Sequence, residues 1–354
     1  MTHVLRYIKK IKQTPFFFIL GRPRSGTTLL MTLLDASPAT IIPVECPVIK
    51  NLYPKYGKKK FWTEKDLLEF YTDLTSQTFY NHYKFTDLNY DFDSIREDLL
   101  FLPGKNTFGE LIKVVYSNYK SVFPKEEIRS IGDKNPDSSN FIYTYLKIFP
   151  EASYIHITRD YRDHIMSVFK AGFDFPSVAM LAFRWKMIYR LLEKVRVKHP
   201  DKFLKIRYED LVTEPEKNLK AVCNFLGIEF SPAMLHHEQF IKNKDLYPKE
   251  SMAEFQKSVV KPITTSKLYN WKNNMPQEQV KIADMMVGKF AESAGYERAF
   301  FKRNLNFYPI LLLIWIRRAT MLAFKSFLVF LPYKMRIRIR YQTSIYTRLK
   351  EGNK

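Results

Sequence analysis

The chain has 354 residues, 46% apolar and 16% aromatic, and carries a formal charge of +21. This suits a folded chain of one large or two small domains and excludes a collagen-like, low-complexity or disordered one. Two cysteines, Cys46 and Cys223, cannot build a disulfide framework and fit a reducing compartment.

The amino terminus is basic (Arg6, Lys9, Lys10, Lys12), and the apolar run behind it, Phe16 to Leu20, has five residues. A secretory core needs about 7–15, so the run reads instead as a short, buried parallel strand. A cytoplasmic protein is expected, peripheral at most on the inner face of a membrane. Leu29, Leu30, Leu33 and Leu34 recur at helical spacing and predict a helix. "ASPATIIPVE" (36–45) leads into a second extended stretch, 64–83 predicts an amphipathic helix, and 128–132 another strand. Residues 138–150 predict a helix opened by a serine cap and closed by Pro150. Strand and loop follow at 152–160, helix at 161–171, a long helix at 177–198, and a strand within 201–211. A helix at 214–227 closes on Gly227. Strands alternating with helices imply an α/β, three-layer, P-loop-like fold around a central, mainly parallel sheet. Ligands of such sheets sit at the carboxyl ends of the strands, where the 21–28 and 158–163 loops both lie.

The first of those loops, Gly21-Arg-Pro-Arg-Ser-Gly-Thr-Thr28, is the phosphate-loop pattern with threonine in place of its lysine. Backbone N–H groups and the helix N-terminus favour an anion there. Thr27 cannot reach a β/γ-phosphate pair as lysine would. Arg24 puts a cation inside the loop instead, with a planar fork suited to a tetrahedral anion. In "TRDYRDHIMSVF", Arg159 at a strand end and Ser167 two turns into the helix can converge on a second phosphate. Taken alone, that second pattern equally fits a capped helix with a solvated Arg–Asp pair.

"PRSGTTLL" followed by "ITRDYRDHIMS" resembles the sulfotransferases that use 3′-phosphoadenosine-5′-phosphosulfate (PAPS). "GDKNP" (132–136) and "RYEDLVTEPEKNLKAVCNFLGI" are similar to further segments of that family, so the resemblance spans about 15–300 as one catalytic domain. It implies transfer of a sulfuryl group from PAPS to an acceptor hydroxyl, leaving 3′-phosphoadenosine 5′-phosphate. By the resemblance, Arg24, Ser25, Gly26, Thr27 and Thr28 hold the 5′-phosphosulfate, Arg159 and Ser167 hold the 3′-phosphate, and Tyr208 lies near the nucleotide. "SVVKPI" with Trp271 downstream resembles the late loop of the protein-tyrosine branch, making Ser258 and Lys261 candidate contacts. The Lys-Gly…Gly-Asp-Trp-Lys loop of the cytosolic small-molecule branch is absent.

Sulfuryl transfer needs a base for the acceptor proton and cations for the sulfuryl group and leaving phosphate. The resemblance places a glutamate base at Glu45 in "PVECPVI", 21 residues after Arg24. A surface role for Glu45 and a base at His82 remain alternatives. Lys134 of "GDKNP" is the natural second cation and, with Arg24, stands in for the missing loop lysine. His156 reads as a core histidine, and no metal is implied. Two rival readings are a P-loop nucleotide kinase or NTPase, which wants the missing lysine, and a non-catalytic nucleotide- and membrane-binding protein.

Residues 301–354 hold twelve Lys or Arg and one acid, about half of the charge excess. Charges interrupt this apolar tract before any run reaches the ~18–20 residues of a spanning helix. It reads as helices lying in a membrane interface with the arginine-rich end on anionic headgroups, or as a helical pair packed on the domain or in a homodimer. No nucleic-acid module accompanies the charge. The aromatic and basic segments 46–63, 81–107 and 172–180 are expected to shape the acceptor pocket. The apolar tail tilts the expected acceptor toward a lipid, sterol or glycan.

Overall fold

The computed structural model describes residues 2–79 (side chains from Leu5), 83–135, 138–172, 177–241 and 259–301, with Ile316 and Thr320. His82, Ser258 and the expected C-terminal helices lie outside the described residues. Five strands, β1 (Phe16–Leu20), β2 (Thr40–Ile41), β3 (Ser130–Asp133), β4 (Ser153–Thr158) and β5 (Phe203–Arg207), form one sheet in the order β2-β3-β1-β4-β5. Every pairing in it is parallel. All five residues of β1 are buried. Alternate side chains of a strand point to opposite faces, so both faces of the sheet are covered. This is the expected three-layer α/β fold.

On one face aromatic rings tie the central strands together. Phe18 stacks on Tyr154 (5.4 Å between centroids) and Tyr154 on Phe203 (4.9 Å), while Phe18 stacks on Tyr145 of the helix Ile142–Ile148 and Phe16 on Phe149 just after it. A second apolar cluster, centred on Trp185 and Tyr189, joins the helices Tyr161–Ala171, Val178–Lys198 and Gln277–Val287. It fixes the helix that follows β4 to the late part of the chain.

Three local expectations change. The helix predicted over 64–83 ends at Thr75. The hydroxyls of Thr75 and Ser76 donate to the carbonyls of Tyr71 and Asp73, competing with the backbone ladder at its end. Thr78–Phe79 and Tyr83–Lys84 then pair as an antiparallel ribbon. The serine cap predicted near 138 is also not formed. Ser139 sits in a 3-10 turn, and its hydroxyl accepts from Gly21 N (3.0 Å) and donates to Gly21 O (3.2 Å), pinning the start of the loop after β1. The amino terminus forms a helix, Thr2–Gln13, that buries Ile8 and Ile11, an element not anticipated from its charge.

Among the described residues no helix is long and apolar enough to cross a membrane. The arrangement makes one prediction about acid. His156 in β4 is buried, and burial first, then Lys205 and Arg196, push its pKa down to about 3. The unfolded chain takes up a proton below about pH 6.5 that the folded chain refuses. The stabilisation is therefore full above that pH and is lost as pH falls toward 3. Denaturant titrations between pH 7 and pH 5 should show His156→Phe flattening the fall in unfolding free energy by up to ~1.4 kcal/mol per pH unit. An unchanged slope would refute this.

Candidate active site

Both predicted loops lie at carboxyl ends of adjacent strands, β1 and β4, and so open on the same edge. The helix Thr27–Asp35 starts directly after Gly26, with no side-chain cap, so its first N–H groups are free of a capping side chain. Gly26 is required twice. Its φ is 91°, in the left-handed region, and a Cβ there would overlap Tyr208 Cδ2. Arg24 also holds a positive φ of 70°, a conformation uncommon for a non-glycine residue. Ser25 and Thr27 are buried.

Tyr208 lies under the second site as well as the first. Its ring carries the Arg159 guanidinium at 4.7 Å. Arg159 is 7% exposed and donates to two backbone carbonyls, Arg24 O (3.3 Å) and Lys267 O (2.9 Å). Its Nε–H is buried with no partner among the described residues. Ser167, expected to converge with Arg159 on a second phosphate, stands on the helix after β4. Its Oγ accepts from Arg24 Nε at 3.2 Å, so Arg24 spans from the first loop into the second site.

The expected base and second cation, Glu45 and Lys134, meet. Lys134, 2% exposed at the end of β3, donates to Glu45 Oε2 (3.2 Å) and Thr28 Oγ1 (3.3 Å). Glu45 lies in the bend between β2 and the helix Val48–Tyr56, partly exposed. Its main chain is fixed from behind: Tyr83 OH donates to the Glu45 carbonyl and Asn135 Nδ2 to the Cys46 carbonyl (3.4 Å). Asn135 and Tyr116 OH both donate to Asp133 Oδ2 (2.7 and 2.8 Å). The Cys46 thiol beside them is pushed up to about 12 by burial and is no nucleophile.

The late segment 259–271 straps over the second site. Trp271 N donates to Asp163 Oδ1 (2.9 Å), and the Arg162 guanidinium lies 3.6 Å from the Trp271 ring centroid. Lys261 is exposed on this strap. Lys267, which sequence reasoning missed, reaches the site more directly. Its pKa is held below the ordinary lysine value by partial loss of hydration, then by Arg24, Arg159, Lys170 and Lys261. Its only trace in the sequence is a basic spacing ahead of Trp271. His164, one turn into the helix, is fully buried and held well below its usual range by burial.

A parallel α/β sheet with a backbone cradle at one strand end, a paired lysine and glutamate beside it and an arginine site at the next strand defines an anion-handling transferase. A model described as "Sulfotransferase family" matches residues 15–232. The chain belongs to that family and is a sulfotransferase. Similar curated proteins include protein-tyrosine sulfotransferase 1 of Danio rerio, 26% identical over 78% of this chain and 72% of the relative. Protein-tyrosine sulfotransferase A of Caenorhabditis elegans is 29% identical over 81% and 68%. Two solved sulfotransferase domains share the fold. That of the Synechococcus PCC 7002 olefin synthase has a TM-score of 0.52 and 21% identity over 80% of this chain and 95% of the domain. That of the curacin biosynthetic pathway has a TM-score of 0.53 and 19% identity over 80% and 98%.

The strap rests on the Trp271–Arg162 contact, worth about 1–2 kcal/mol when desolvated. Trp271→Ala should speed tryptic cleavage after Lys267 about tenfold in the folded protein, leaving other early cuts unchanged. Equal rates in variant and wild type would show that the strap is held elsewhere.

Proposed function

We propose that the chain moves the sulfuryl group of PAPS to an acceptor hydroxyl, with Glu45 as general base and Lys134 and Arg24 as the cations at the reacting centre. The observation that carries this is the meeting of Glu45, Lys134 and Thr28 beside the loop after β1. The site fits a donor with phosphates at two places. Gly26 and the helix N-terminus form one cradle; at the other, the buried Arg159 Nε–H lacks a partner among the described residues and several cations crowd Lys267. PAPS, when bound, supplies the sulfuryl group and the phosphate that leaves.

The chain's own part is orientation and charge. Glu45 Oε2 is held by Lys134, and Oε1 takes the acceptor proton. As the acceptor oxygen bonds to sulfur and the sulfur–phosphate oxygen bond breaks, charge grows on the leaving phosphate, where Lys134 and the loop N–H groups receive it. Arg159 and Ser167 hold the nucleotide's far phosphate, Arg24 reaches from the first loop to Ser167 Oγ, and Tyr208 backs Arg159.

The acceptor we favour is a tyrosyl hydroxyl of a protein, which displaces the lipid, sterol or glycan read from the tail. Two considerations support it. The relatives at 26% and 29% identity are named protein-tyrosine sulfotransferases. A carboxylate base is also better matched to a phenol, of ordinary pKa about 10, than to an aliphatic hydroxyl nearer water's ~16. Where in the cell this takes place we propose from charge alone: the cytoplasmic side, against an anionic membrane surface.

The test is transfer of label from PAPS to tyrosine peptides, with a lipid and glycan extract in parallel. Glu45→Gln should lower kcat by about 10²–10⁴ while the product nucleotide still raises the unfolding temperature as in wild type. Near-wild-type transfer by Glu45→Gln would remove Glu45 as base. Label entering only lipid or glycan would restore the other acceptor class.

A further inference from the structure

A ribbon outside the candidate site carries a surface that the transfer reaction does not use. Phe61–Trp62 and Gly104–Lys105 pair antiparallel, with Phe61 opposite Lys105. Strand alternation sends the two rings of the first segment apart. Trp62 is fully buried and its indole N–H donates to the Asn106 carbonyl (3.0 Å), whereas Phe61 is 66% exposed. The helix Thr2–Gln13 is tied to the same ribbon. Lys12 Nζ donates to Asn106 Oδ1 (2.6 Å), and Asn106 N donates to the Lys60 carbonyl (3.1 Å). Lys9 stands one turn before Lys12 on the same stripe of that helix. The charges around the exposed ring fall into two sets. Lys10, Lys12 and Lys59 are paired with Glu127, Glu110 and Asp66. Lys9, Lys58, Lys60 and Lys105 are exposed and form no ion pair among the described residues.

We propose that this ribbon, with the end of the amino-terminal helix, is the face by which the chain rests on an anionic lipid surface. Phe61 enters the headgroup layer, and Lys9, Lys58, Lys60 and Lys105 meet the anionic headgroups around it. The proposal rests on the membrane reading above and adds the face that makes the contact. Charge complementarity and shape both favour lipid. Each lysine adds a similar increment of attraction near an anionic bilayer, and the sum weakens as salt rises. A single protruding ring suits a fluid interface that deforms around it, whereas a protein partner would have to supply about 1,000 Å² of matching surface. The position bears on function. Lys12 lies just ahead of Phe16, beside the amino end of β1, whereas both candidate loops leave carboxyl ends of strands. Contact through the ribbon turns the mouth of the site away from the lipid, toward a protein acceptor in the aqueous phase.

Sedimentation of the full chain with phosphatidylcholine vesicles, with and without about one-third phosphatidylserine, tests this. Wild type should bind the anionic vesicles only, and less at high salt. With those vesicles Phe61→Trp should show blue-shifted emission and quenching by brominated acyl chains. Tyr269→Trp, at an exposed position on the strap, should show neither. Lys58→Glu with Lys60→Glu and Lys105→Glu should weaken vesicle binding at least about tenfold. The unfolding temperature of that variant, and its transfer from PAPS to a soluble tyrosine peptide, should stay as in wild type. If wild type binds anionic vesicles but the indole of Phe61→Trp stays in water, or charge reversal changes nothing, the contact lies elsewhere, as through the basic residues 301–354. The membrane reading then stands and this proposal falls. If wild type ignores anionic vesicles, both fall.

Discussion

The site depends on keeping a guanidinium in a nearly closed position with no carboxylate hydrogen-bonded to it among the described residues. Among the described residues Arg159 donates to two carbonyl oxygens and lies on the face of Tyr208, with Asp163 acting on it through charge alone. A charge so placed costs free energy unless something anionic completes it. The nearby structure answers that demand with backbone. Gly26 lacks a Cβ, so Tyr208 packs against the loop after β1, and one ring serves both loops. The close approach of two strand ends thereby sets the distance between the two anion sites.

Arg162 shows what the alternative looks like. It stands three residues further on, in the first turn of the helix that follows, also buried, yet its charge is paired: its side chain pairs with Asp160 (2.8 Å) and lies 3.7 Å from Asp284. Asp284 in turn accepts from Tyr161 OH and from the backbone N–H groups of Ala299 and Phe300. Two arginines one helical turn apart thus take opposite roles. Arg162 anchors the strap and the late helix to the sheet, and Arg159 is left positive where an anion is to be received. The same short segment builds both the support and the site.

Much of this was legible in the chain. Gly21–Thr28 and Arg159–Ser167 carry their own chemistry, and the alternation of apolar runs fixes the strand ends where both loops lie. Glu45 and Lys134 were legible only through resemblance, because nothing in "PVECPVI" or "GDKNP" says that the two side chains meet. What stayed hidden depends on long-range packing. Ser139 looked like a helix cap, and its hydroxyl goes instead to Gly21, 118 residues away. Arg24 looked like part of one loop and reaches across to Ser167. Lys267 has no motif at all; the strap carries it into place through Trp271 and Asp163. Local pattern states which groups can hydrogen-bond or hold charge, and tertiary contact decides which of them are brought together.

The placement of the base follows the same logic from the other side. Glu45 is not held by its carboxylate alone. The main chain on either side of it is gripped by Tyr83 and Asn135, and Asn135 by Asp133, whose other donor is Tyr116. Lys134 sits between Asp133 and Asn135 in sequence, so one turn after β3 both presents the cation and braces the carboxylate that faces it. Tyr83 comes from the ribbon of Thr78–Phe79 and Tyr83–Lys84, in the stretch expected from the sequence to shape the acceptor pocket. A change in that ribbon that enlarges or reshapes the pocket therefore also moves the backbone of the base. If Glu45 is the base as proposed, acceptor choice and base position are coupled through Tyr83. The donor half of the site can stay constant while the acceptor half varies, but only within the range that leaves Tyr83 on the Glu45 carbonyl.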